Sequence, residues 1–156
     1  MSEKKVVKIK SWKEVKKTGF VQLEYPDAIY EVPIKSVSPN VTDAIEDKYE
    51  SLRPPVPTYF DNELKKWFEV KEDTLNPNHK EQYDKYAKKA REIETMRFAE
   101  LVLAFIDMEI EGETLEEKIH NLREDIPIGH YYKIVEAGYS LSGINLDKKV
   151  EEAKNS

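Results

Sequence analysis

Between Phe20 and Ile34 the apolar residues fall on alternate positions. Val21, Leu23 and Tyr25 share one face of an extended segment, and Tyr30, Val32 and Ile34 share one face of the next. Pro26-Asp27 between them is turn chemistry, so the spacing predicts a β-hairpin over residues 20–35. Pro33 has no N–H to give to a ladder, which puts the second strand at an edge or a bulge. The period then changes to that of a helix. Ser38-Pro39 reads as an N-cap followed by proline at the first helical position, and Val41, Ala44, Ile45, Tyr49 and Leu52 recur on one helical face over 38–52. Residues 53–59 carry Pro54, Pro55 and Pro57, which hold the backbone extended and make a stiff connector.

From Phe60 to Asp73 the pattern fits two periods. Leu64, Trp67 and Phe68 suit a helix, whereas Trp67 with Glu69 and Phe68 with Val70 alternate; the spacing is read here as a short helix. Asn76-Pro77-Asn78 punctuates the chain and offers an Asn cap. The longest element follows, over about 79–108, and its halves differ. Tyr83, Tyr86, Ala87, Ala90 and Ile93 form one stripe among charged residues, as in a helix wetted on most sides. From Phe98 to Met108 only Glu100 and Asp107 interrupt the apolar run, which predicts the centre of the core. Thr114-Leu-Glu-Glu117 is a capping box that opens a helix at Leu115 with Leu115, Ile119 and Leu122 on one face. Pro127 separates it from a last helix carrying Ile128, Tyr131, Ile134, Val135 and Leu141, closed at Gly143. The expected fold is α+β and mainly α: a small N-terminal hairpin followed by four to five helices. Residues 1–144 would form one domain with its helical core over 79–144, and residues 145–156 a polar, flexible tail.

Charge changes this picture at one end. The chain has 25 Lys and Arg against 31 Asp and Glu, a net −6, yet the first 17 residues hold seven lysines and two glutamates. An arm of +5 over residues 1–19 therefore precedes a body of −11. Val7, Ile9 and Trp12 in that arm can form a short strand, whose lysines would keep a sheet edge soluble. The acidic body disfavours nucleic acid as a general partner. The absence of Cys excludes disulfides, thiolate nucleophiles and Cys-ligated metals, which fits a reducing, cytoplasmic setting. No apolar run reaches the roughly 18 residues of a membrane span, and residues 1–17 lack the apolar core of a secretory signal. No membrane partner is expected.

Candidate chemistry is sparse. Glu117 and His120 have the E-x-x-H spacing of di-iron bundles, but one copy stands where such sites need two and further glutamates. Asp107, Glu109, Glu111 and Gly112 imitate the start of a calcium loop, yet its twelfth position falls on Lys118, a cation. No phosphate-binding glycine loop or nucleophile elbow is present. No catalytic, cofactor-binding or metal-ligating residue is expected, and no cofactor. Exposed aromatic residues are the better signal, because they dominate binding hot spots. Trp67 and Phe68 beside the proline connector, and Tyr83 and Tyr86 on the wetted half of the long helix, are the predicted partner-binding residues.

The order of these features resembles a known family. Pro54-Pro55-Val56-Pro57, Asn76-Pro77-Asn78 with Tyr83 following, the long helix from Arg91 to Asp107, and Leu122 to Leu141 resemble the tail assembly chaperones of long-tailed phages and prophages of Gram-positive bacteria, over roughly residues 20 to 144. The basic start departs from many relatives. The resemblance implies a non-enzymatic helper in the host cytoplasm that coats the helical tape measure protein while the tail tube assembles around it, with other tail proteins and self-association as further contacts. It also implies a longer second form made by frameshifting near Lys148-Lys149. The residues taken alone support a different class as the alternative, a small regulatory protein that touches nucleic acid through its Lys-rich arm.

Overall fold

The structure, a computed structural model, describes residues 4–6, 8–11 and 17–143. Four strands and four helices follow in the order β1 (Thr18–Glu24), β2 (Ile29–Lys35), α1 (Pro39–Leu52), β3 (Thr58–Asp61), β4 (Lys66–Glu69), α2 (Pro77–Phe105), α3 (Leu115–Asp125) and α4 (Ile128–Leu141). The fold is α+β and mainly α, with two separate antiparallel hairpins.

The first hairpin forms as its alternation requires. Leu23 pairs with Tyr30, Val21 with Val32 and Gly19 with Ile34, so the apolar residues of both strands share one face. Leu23 and Ile34 are buried, while Phe20, paired with Pro33 on the other face, is exposed. The Tyr25 N–H donates to the Ala28 carbonyl at 2.8 Å and closes the Pro26-Asp27 turn. Packing of α4 on both strands covers the apolar face. Ile9 is not part of a strand, and Val7 and Trp12 lie outside the described residues, as does the polar tail beyond Gly143.

The core is built around the C-terminal part of α2. Ala99, Val102 and Phe105 are fully buried and Leu101 nearly so, against Ile119 and Leu122 of α3 and Ile134 and Val135 of α4. No residue of α2 before Ile93 is buried. The two predicted halves are therefore real, but the helix stops at Phe105, not Met108. Ile106 instead bridges to Ile34, and the Asp107 N–H donates to the Pro33 carbonyl at 2.8 Å. An unpaired β2 edge competes successfully with another helical turn. Met108 is consequently exposed.

Helix ends follow local chemistry with two exceptions. The Asn76 side chain accepts from the Asn78 and His79 N–H groups at 2.9 and 3.4 Å, and Thr114 Oγ1 accepts from Glu117 N–H at 3.2 Å. The Glu117 carboxylate, however, takes the Glu113 N–H at 2.8 Å, one residue upstream of the capping-box partner. Ser38 makes no side-chain cap; its carbonyl accepts from Val41 and Thr42, and Pro39 alone presets the first turn. On α1 only Ile45 and Tyr49 are buried, so Val41 and Leu52 remain on the exposed flanks of the stripe.

Ion pairs fasten α1 to α2. Lys48 Nζ lies 2.9 Å from Glu100 Oε1, and Arg97 bridges Glu46, at 2.7 Å, to Glu94. The hydrogen bond from Lys48 to Glu100 raises the Lys48 pKa, and the bond from Arg97 holds the Glu94 carboxyl below its ordinary range.

Candidate partner-binding surfaces

Residues 58–69 form the second hairpin, in place of the short helix the spacing favoured over 60–73 and of the last two residues of the expected connector. The turn decides it. Asp61 Oδ1 accepts from the Glu63 and Leu64 N–H groups at 2.8 and 2.9 Å, an Asx turn that starts the reversal, and Lys65 completes it at φ 55°. Once the chain reverses, Tyr59 faces Phe68 and Phe60 faces Trp67. Asp61-Asn62 flanked by aromatic residues in alternation was the available signal.

This register separates two residues that sequence reasoning grouped. Phe68 is half-buried on the inner face, where Tyr59 stacks on it and on His79 of α2, with ring centroids 4.5 Å apart in the latter pair. Val70 is buried beyond the strand end, its N–H donating to the Pro57 carbonyl at 2.8 Å. Trp67 lies on the outer face, 68% exposed, with its ring centroid 5.4 Å from that of Phe60. Leu64 in the turn and Leu75 after the hairpin are exposed as well. Tyr83 and Tyr86 meet edge to face on α2 at 5.8 Å, both half-buried. Of the four predicted residues, Trp67 alone is a fully presented aromatic surface, and Phe60 is its unpredicted partner.

A second feature had no sequence signal. A cleft of about 430 Å³ opens where the β1–β2 turn meets the α2–α3 loop and the α3–α4 junction. Tyr25 and His130, 105 residues apart, meet there with the hydroxyl 2.6 Å from Nε2. The His130 Nδ1 is shielded from solvent without a protein hydrogen-bond partner. Tyr30 contacts Tyr25 edge to face at 5.4 Å and is about half exposed. No serine or threonine lines the cleft, so it presents no hydroxyl nucleophile other than the tyrosines.

The two metal-like spacings do not converge on a site. Glu117 and His120 are exposed on α3, with Glu117 engaged by the Glu113 backbone. Gly112 turns the chain at φ 138°, and among the described residues no group of three His, Asp or Glu side chains is placed to hold a metal. No helix of the described residues is long and apolar enough to cross a membrane. No protein-family model, curated protein or solved structure matches the chain.

Proposed function

We propose that the protein is a non-enzymatic binding protein and, as the resemblance in its sequence suggests, a tail assembly chaperone whose partner is the tape measure protein. The observation that supports this most is the Phe60–Trp67 pair held in the open on a hairpin. Complete burial of a tryptophan or a phenylalanine would stabilise the domain by about 2–3 kcal/mol each, and with Trp67 68% and Phe60 42% exposed the fold forgoes about half of that gain. A two-stranded aromatic face with Leu64 in its turn suits an amphipathic helix, which a long tape measure protein would offer repeatedly.

The test is co-expression with the long helical protein that this reading requires beside the gene. The wild-type chain should hold that protein in the soluble fraction and co-purify with it. Phe60→Ser/Trp67→Ser, which alters only exposed side chains, should fold normally and weaken binding by at least about 30-fold, the effect of losing one hot-spot side chain worth about 2 kcal/mol. Equal binding by the double variant would refute the role of the hairpin. A neighbourhood with no long helical reading frame would refute the chaperone.

A further inference from the structure

The cleft beside Tyr25 combines two properties that select an occupant. Its floor is apolar, formed by Leu23, Val32, Ile106, Ile126 and Ile134. Its remaining wall carries Glu109, Glu111 and Asp125, and no lysine or arginine lines it. None of the three acids is in an ion pair among the described residues. They belong to a segment, residues 107–125, with eight acids against two bases, a net −6 equal to that of the whole chain. An apolar depression therefore sits under the most negative part of the molecule.

That pairing narrows the ligand. A neutral apolar segment would bury the cleft but strip water from carboxylates it cannot pair, a costly exchange. Nucleic acid and anionic lipid carry the wrong sign. A small metal ion needs converging ligands, which the described residues do not supply. A segment with apolar side chains on one face and lysine or arginine at its flanks satisfies both halves at once. The exposed Met108 and Tyr30 would extend the apolar contact beyond the floor.

We infer that this cleft is a docking site for a cationic amphipathic segment of a partner protein, separate from the Phe60–Trp67 face. The inference needs only the cleft and holds whether or not that partner is a tape measure protein. The experiment uses the full chain and a fluorescent helical peptide of leucine and lysine, about 18 residues or five turns long, with its leucine–glutamate counterpart as control. Anisotropy should report at least about tenfold tighter binding of the cationic peptide than of its acidic counterpart, the difference shrinking as salt is raised. Glu109→Lys/Glu111→Lys and, separately, Tyr30→Ser should each weaken binding about tenfold.

Glu72→Lys/Asp73→Lys changes the net charge equally at exposed positions outside the cleft, and should change binding by less than about twofold. Phe60→Ser/Trp67→Ser should leave it unchanged. Circular dichroism checks that each variant is folded. Equal losses from the two charge reversals would reduce the effect to net charge and overturn the inference, as would undiminished binding by Tyr30→Ser. Salt-sensitive self-association of the chain that disappears on deleting residues 1–16 would make the Lys-rich arm of a second copy the occupant, and would overturn it too.

Discussion

Gly138 lies in the last turn of α4 directly over the ring of Phe105, and this contact sets how closely α4 can approach α2. A Cβ built at Gly138 would overlap the Phe105 ring and come within 2.8 Å of its Cβ. Phe105 is fully buried, and its ring meets Tyr139 edge to face at 4.9 Å, so it has no free volume to swing into. Gly138→Ala therefore pits two effects against each other. Replacing glycine inside a helix gains about 1 kcal/mol from backbone entropy. Overpacking a filled core costs about 1–3 kcal/mol, and an overlap with a rigid ring belongs at the upper end. The expected result is a net loss of about 2 kcal/mol, a fall of roughly 4–8 °C in Tm for a chain of this size.

Urea unfolding followed by far-UV circular dichroism measures this, with Gly129→Ala as the internal control. Gly129 is in the same helix with nothing within 4 Å of a built Cβ, so alanine there should be neutral or stabilising by up to about 1 kcal/mol. A double-mutant cycle with Phe105→Ala identifies the cause. The double variant should be less destabilised than the sum of the singles by about 2–3 kcal/mol, the overpacking cost, because the ring that the added methyl group would strike is gone. Gly138→Ala as stable as wild type, or additivity in the cycle, would refute close packing at this point.

Two further outcomes concern the helix cap and pH. Asn76→Ala leaves the Asn78 and His79 N–H groups of α2 without their acceptor and should cost about 1 kcal/mol in the same assay, whereas Ser38→Ala, which removes no cap bond, should be near neutral. Stability should fall on both sides of a broad plateau. Glu94 has a folded pKa below its unfolded one because of the Arg97 hydrogen bond, so its contribution is present above about pH 4.5 and is lost as pH falls through the lower folded value. On the alkaline side the hydrogen bond to Glu100 raises Lys48, and burial raises Tyr49, Tyr131 and Tyr139, so their contributions are present below about pH 10 and are lost as pH rises. Tyrosinate absorbance should show a late-ionising component from Tyr49, Tyr131 and Tyr139, and its absence would contradict their burial.

What the sequence by itself determined is what neighbours along the chain decide. Alternation around Pro26-Asp27 specifies the first hairpin and its buried face, because period two and a tight turn leave one register that hides Leu23 and Ile34 together. Asn76, Thr114 and Pro127 place helix boundaries through hydrogen bonds and steric restrictions spanning a few residues. The contrast between the wetted and buried parts of α2 is likewise written in composition.

Tertiary structure decided where two local options were close in free energy or where distant segments had to meet. Phe60 to Asp73 fits both periods, and the Asp61 turn with the Tyr59–His79 stack favours the hairpin, which is why Trp67 and Phe68 face opposite ways. The end of α2 is set by an unpaired edge 72 residues upstream, where Ile34 takes Ile106 into a bridge. The cleft joins Tyr25 to His130 across 105 residues and gathers acids from the α2–α3 loop and the end of α3. Periodicity reports which face of an element is apolar; only the packing of several elements decides which apolar faces are left uncovered, and beside which charges.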